Sequence, residues 1–255
     1  MKKVTFMAFI LAIAVSSGCS TSQKVNYTLD DIKPYRSEAY KDRLLFVKEF
    51  EDVRATKSDR AEIIKSVGEK NTIFKKDDES WYFNTINNYE GKMISPLLTD
   101  MMVKHINEAK VFSGVKKDDS TRIEGSLLLE GKIKEFWGAV KRNEGAEVTG
   151  AVGVQFGALG GLLSGLMISG MKSPYESETV LVDLRLTDVD SQEVLWEGTA
   201  SSGKLEGEDQ ASIGGWLAYA KANLSLKEAV NKLLAQIAKP ADVRLSQKSE
   251  AVSKN

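Results

Sequence analysis

The chain has one histidine and one cysteine among 255 residues, the two side chains that nucleophilic and acid–base catalysis most often draw on. With so few of each, no His/Cys metal cluster can be assembled. A Ser-His-Asp triad would have to use His105, and no Gly-x-Ser-x-Gly elbow accompanies it. No Gly-x-x-x-x-Gly-Lys-Ser/Thr phosphate loop occurs either. His105 lies beside the apolar stripe of a predicted helix, where a packed or half-exposed histidine is expected rather than a catalyst. Asp188 and Asp190 in "DVDSQE" have the start of a calcium-loop spacing but lack its glycine and its last ligand, so a hairpin turn is expected. The acidic runs "KKDDE" (75–79) and "KKDD" (116–119) read as solvated loops. These residues point to a chain without catalytic residues, cofactor or metal site.

Cys19 has a different chemistry in prospect. Lys2 and Lys3 precede an apolar run from Val4 to Val15, and small residues then lead to the cysteine. That is a secretory signal over residues 1–18, too short to be a spanning helix. The stretch "VSSGC" resembles a bacterial lipobox, with Gly18 before the cut and Ser16 where an aliphatic residue is more common. Lipidation at Cys19 is therefore expected, against the alternative of a plain signal and a chance cysteine. Ser20 in the next position suggests sorting to the outer membrane. Residues 19–41 have little apolar periodicity and read as a tether, reaching about 25 Å as a flexible coil. Without Lys2 and Lys3 the chain holds 33 basic and 36 acidic residues, a net charge of −3, which gives no footprint for nucleic acid.

The elements that must position any site fall between residues 42 and 239. "RLLFVKEFEDVR" (43–54) reads as a first strand. A helix is predicted at 95–109, with Ser95 as cap, Pro96 in its first turn and a stripe of Leu97, Leu98, Met101, Met102, Ile106 and Ala109. Alternation from Ile123 through Leu127, Leu129 and Ile133 to Trp137 predicts a long half-buried strand with a bulge near Gly131. Val180, Val182, Leu184 and Leu186 predict another, turning at "DVDSQ" into "EVLWEG" as a β-hairpin. A helix near 210–222 offers Trp216 and Tyr219 as a partner-binding face. Ser225 and Glu228 make a capping box for a last helix, with Leu226, Val230, Leu233, Leu234 and Ile237 inward and Pro240 as its end. Residues 240–255 read as a disordered tail. The sum is an α+β domain of order β-α-β-β-β-α, helices packed on a mostly antiparallel sheet.

One insertion, 145–173, stands apart. From Val148 to Met171 there is no charged residue, in a chain that is 28% charged. Gly153, Gly157, Gly161 and Gly165 recur every fourth position and are candidates for a membrane or oligomer contact. As one helix the stretch would be about 36 Å long, enough to span, with a glycine groove for close packing. As two arms of about ten residues turning at "GALGG", it alternates like a barrel hairpin. As a glycine-rich loop or helix it would be buried in its own domain. Periodicity leaves all three open.

"RIEGSLLLEGKI", the glycine-rich insertion and "TVLVDLRLTDVDSQEVLWEGTASSGK" resemble the CsgG-like (curli secretion channel) superfamily of lipoproteins. "NYTLD" and "SWYFNTINNYEGKMISPLLTDMMVKHINEAKVFSGV" are similar to auxiliary lipoproteins of ABC-type envelope transporters. The resemblance implies a periplasmic domain on the outer membrane, held through the N-terminal lipid and working with an envelope protein complex or as a homo-oligomer. Three functions fit it: an accessory or assembly subunit of a transport or secretion machine, a self-oligomerising pore subunit using 148–171, or a scaffold that activates an envelope enzyme.

Overall fold

The computed structural model describes residues 32, 34–35, 37–54, 63–67, 71–76, 79–84, 88–89, 92–119, 121–155, 157–211 and 216–253. Cys19, the signal-like segment and most of the tether lie outside them, as do Asp77 and Asp78 of "KKDDE". The strands are β1 (Leu44–Val47), β2 (Glu51–Asp52), β3 (Ile63–Val67), β4 (Asn71–Lys76), β5 (Glu79–Asn84), β6 (Asn88–Tyr89) and β7 (Lys92–Met93). Then follow α1 (Ile94–Glu108), β8 (Gly114–Lys117), β9 (Leu127–Lys141), α2 (Glu144–Gln155), α3 (Gly157–Ser169) and β10 (Lys172–Asp188). β11 (Val194–Ser201), β12 (Leu205–Gln210) and α4 (Trp216–Ser253) complete the chain. The fold is α+β, as expected, with more strands than the simple order predicted.

Two long antiparallel strands, β9 and β10, form the spine of one mixed sheet. Because they outrun their neighbours, each is flanked by different strands along its length. β9 takes β1 and β2 in parallel near its start and β5 antiparallel near its end. β10 takes β12 along its first residues and β11 along its last. β11 follows the predicted hairpin turn. The single strand expected over 43–54 is divided into β1 and β2, because the Phe50 amide leaves the ladder to bond the Thr99 hydroxyl at 3.1 Å.

Helices α1 and α4 cover one face of this spine. Leu45, Val47, Leu127, Leu129, Ile133, Leu181, Leu184 and Leu186 meet Leu98, Met102 and Ile106 from α1 and Leu226, Val230, Leu233, Leu234 and Ile237 from α4 in one core. Two bulges set which side chains point there. On β10, Asp183 and Leu184 together face the single Gly131, and Asp183 takes a left-handed φ of 50°. The bulge predicted near Gly131 is present, with its extra residue on the facing strand. Gly131 is needed there, since a Cβ would lie 2.5 Å from Leu184 Cδ2 and 2.8 Å from Phe50 Cε1. The bulge also puts Leu181 into the core, so Val180 and Val182 do not share a face with Leu184 as alternation predicted. On β9 the register slips between Ile133 and Glu135. Phe136 thereby joins the core, while Trp137 and Ala139 cluster with Trp81 instead of continuing the face of Ile133. Ile123 precedes the strand and is exposed.

Three helix boundaries also differ from expectation. Ser95 does not cap α1 in the predicted way; its hydroxyl donates to the Phe50 carbonyl, while Thr99 bonds back to Ser95 at 2.9 Å. The two C-terminal helices are one, and Ser225 lies inside it. Its hydroxyl donates to the Ala222 carbonyl at 2.8 Å and pairs with Thr179 at 2.8 Å, the back-bonding that lets a serine sit mid-helix. Pro240 does not stop α4, whose backbone stays helical to Ser253 where a disordered tail was expected. Proline forfeits one helical bond and crowds the carbonyl four residues back, but Leu226–Ile237 are already fixed on the sheet before the chain reaches it.

Candidate functional site

At the far end of the spine, β9 and β10 are joined by an α-helical hairpin. Asn143 starts it, its side-chain oxygen accepting from the Ala146 amide at 3.0 Å while its amide donates to the Lys172 carbonyl at 3.2 Å. Arg142 grips Glu147 through Nε at 2.8 and 2.9 Å, closing a charged collar around the base. α2 then climbs to Gln155, and Gly157, with φ 67°, supplies the reversal that an L side chain would resist. α3 descends to Ser169. Gly153 is where the helices touch: a Cβ there would lie 2.5 Å from Ser164 Cβ and 2.9 Å from the Gly160 carbonyl. Ala146 and Ile168 pack with Ala211 at the base, a small core separate from the main one.

Each reading of 148–171 is corrected by this geometry. No helix of the described residues is long and apolar enough to cross a membrane, because the segment breaks at Gly157. The two arms are helical rather than strands. Nor is the segment buried: Val148, Val152, Leu162, Leu163, Leu166 and Met167 are 47–65% exposed. Of the four glycines, Gly153 has an internal neighbour and Gly157 a turn to make. Gly161 and Gly165 face open space.

The remaining candidates resolve into structural roles. His105 is fully buried between α1 and α4, with Nε2 2.9 Å from Asn231 Oδ1. Burial pushes its pKa down to about 4, outweighing the Asn231 bond. Tyr219, a partner-binding candidate by sequence, is buried and meets Phe136 edge-on at 6.3 Å, so it belongs to the core; the register slip in β9 brings Phe136 to it. The Trp216 side chain lies outside the described residues. Asp188 holds the predicted turn, accepting from the Asp190 and Ser191 amides at 3.0 Å each and from Arg43 at 2.7 Å. The Ser191 bond, then Arg43, lower its pKa to about 2.

A charged cleft of about 690 Å³ opens over the β10 bulge, a feature the sequence reading did not anticipate, since it depends on the left-handed Asp183. Lys132 bridges Asp183 at 3.1 Å and Glu51 at 3.8 Å, and Lys48 meets Glu130 at 3.4 Å. Among the described residues its lining contains no histidine, cysteine or serine, and its one hydroxyl is that of Thr199. Five acidic residues against three basic ones leave the lining net negative. Among the described residues no three His, Cys, Asp or Glu side chains are grouped to hold a metal ion.

No family model matches the chain, and no curated protein matches it. Solved structures with some likeness include a DUF330 protein from Xanthomonas campestris, 12% identical with TM-score 0.36, covering 86% of this chain and 95% of that one. A Helicobacter pylori homolog of a neuraminyllactose-binding hemagglutinin is 8% identical with TM-score 0.36, covering 85% and 95%. An uncharacterised protein is 13% identical with TM-score 0.34, covering 82% and 97%. At these scores the likeness carries no functional argument.

Proposed function

We propose that this chain is a non-enzymatic, lipid-anchored subunit of a bacterial envelope transport or secretion machine, held at the outer membrane through Cys19 and facing the periplasm. The observation that carries the reading is the α2–α3 hairpin. It carries six exposed large apolar side chains, against Val53, Ile123, Val194 and Leu224 elsewhere among the described residues, and exposed apolar surface of this kind marks a protein or membrane interaction site. The signal-like run and the lipobox-like "VSSGC" near the N-terminus support a membrane location.

The reading is tested by fractionating cells that carry the wild type or Cys19→Ala, then isolating the wild type in mild detergent. The expected result is an outer-membrane protein released by Cys19→Ala, recovered together with an ATP-driven envelope transporter or a secretion complex. Unchanged fractionation of Cys19→Ala would overturn the anchor. Recovery with a cell-wall enzyme whose rate it raises would replace transport by the scaffold role. Single-channel conductance would favour the pore alternative, in which residues 148–171 serve as a membrane hairpin or helix.

A further inference from the structure

We propose that the α2–α3 hairpin is a monotopic membrane element, bedded by its exposed face in the hydrocarbon of one bilayer leaflet. This deepens the envelope reading and rests on it only for a membrane within reach. The surface itself selects lipid as occupant. A helix that meets another protein along one side keeps a polar outer face, whereas one that is apolar all round is enclosed by core or membrane. On α3 the exposed positions Gly161, Leu162, Leu163, Gly165, Leu166, Met167 and Ser169 sweep an arc of about 240° at 100° per residue. None of them is charged.

The hydroxyls of the hairpin point the same way. Thr149 donates to the Gly145 carbonyl at 2.7 Å, Ser164 to Gly161 at 3.0 Å and Ser169 to Leu166 at 2.7 Å. Each hydroxyl is satisfied by its own helix, as hydrocarbon requires of a donor that has no water to turn to. Gln155, at the tip, is the one amide that insertion carries along, against six apolar side chains.

Length and charge define how far the element goes. Thirteen residues of α3 make about 20 Å at 1.5 Å each, short of the roughly 30 Å hydrocarbon core and sufficient for one leaflet. At the base the apolar surface stops at Arg142, Glu144, Glu147 and Lys172. Arg142 and Glu147 are paired there, and Glu144 and Lys172 are exposed. That collar fits the headgroup boundary.

The test uses the processed chain from residue 19 onward as Cys19→Ser, which lacks both the lipid and the apolar run Val4–Val15. Cys19 is the chain's one cysteine, so Leu166→Cys in this background takes a single environment-sensitive fluorophore. Vesicles of phosphatidylethanolamine and phosphatidylglycerol are the probe. The expected result is flotation with the vesicles, a blue-shifted label, and quenching by lipids spin-labelled on the acyl chain. Leu162→Glu with Leu166→Glu should weaken partitioning by roughly a hundredfold with unchanged circular dichroism, whereas Val194→Glu, at an exposed residue on β11, should leave it intact. A chain that stays with the aqueous phase and a label that remains in water would overturn the proposal. So would a label buried without vesicles in step with a concentration-dependent doubling of mass, which would make a second copy the occupant. Fractionation of the lipidated protein is scored separately, so the hairpin proposal can fail while the envelope reading stands, and the reverse.

Discussion

Gly138→Ala should lower stability although it adds one methyl group and improves strand propensity. Gly138 lies in β9 between Asn84 of β5 and Ser177 of β10, and the backbone of α4 passes directly over it. A Cβ would overlap the Ala218 carbonyl and fall 2.7 Å from the Ala222 amide nitrogen and 3.0 Å from the Ala218 carbonyl carbon. These are main-chain atoms of a helix fixed by Leu226, Val230 and Leu233, so no flexible side chain can yield. To restore ordinary contact the helix must retreat by about 1 Å, an overpacking strain of roughly 3 kcal/mol. The lost flexibility of the unfolded chain returns up to about 1 kcal/mol, leaving a net loss of about 2 kcal/mol. For a chain of this size that is about 4–8 °C in Tm, readable by urea or thermal unfolding. Gly161→Ala and Gly165→Ala are the contrast, since both glycines are helical and face open space. Each should leave stability unchanged or raise it by up to about 1 kcal/mol. A Gly138→Ala protein within about 0.5 kcal/mol of wild type would refute the close approach of α4. A destabilised Gly161→Ala would show α3 packed against its own chain.

Gly131→Ala should cost about 1–3 kcal/mol, because its methyl group would collide with Leu184 and Phe50; equilibrium unfolding reads it. His105 has a folded pKa of about 4 against 6.5, so the unfolded chain binds the proton first. Its contribution is full above pH 6.5 and is lost as pH falls towards 4, a decline of about 3 kcal/mol. His105→Gln should flatten that slope in urea unfolding measured between pH 7.5 and 5. Asp188 has a depressed pKa of about 2, so its stabilisation is present above about pH 4 and disappears as pH falls through 2. Asp188→Ala should cost about 2 kcal/mol at pH 7, while Asp188→Asn, keeping an oxygen acceptor for the turn amides, should cost less.

Buried periodicity made much of the domain legible. Leu226, Val230, Leu233, Leu234 and Ile237 were assigned inward from a 3.6-residue repeat and lie there, because helical spacing admits one answer once an apolar stripe exists. The strand pairing through "DVDSQ" was legible for a similar reason, since Asp188 is chemically suited to gather the turn amides. Bulges were the obstacle. One extra residue near Asp183 and another near Lys134 invert the faces of Val180, Val182 and Trp137, and a period of two carries no warning of either. Ser225 and Ser95 misled in another way: a hydroxyl beside an apolar run has the composition of a cap, and only the tertiary partner decides whether it caps. The insertion was ambiguous because glycine every fourth residue satisfies helix and strand alike. Its resolution into two short helices depends on the positive φ of Gly157, and its exposure on packing at Gly153, neither of which spacing encodes.

The spine separates two points of contact. Arg43, where the chain enters β1, bonds Asp188 at one end of β10, while the hairpin springs from Lys172 at the other. The 15 residues of β9 put about 50 Å between them. A body moored by one slack cord swivels through a hemisphere and offers its sides at random. Moored also at the far tip, it can only rock about the line joining the two moorings. If the lipid proposed at Cys19 and the hairpin proposed to enter the bilayer share one membrane, a spine of about 50 Å is held at both ends. A body so held would offer an arriving partner a narrower range of orientations than one moored at a single end.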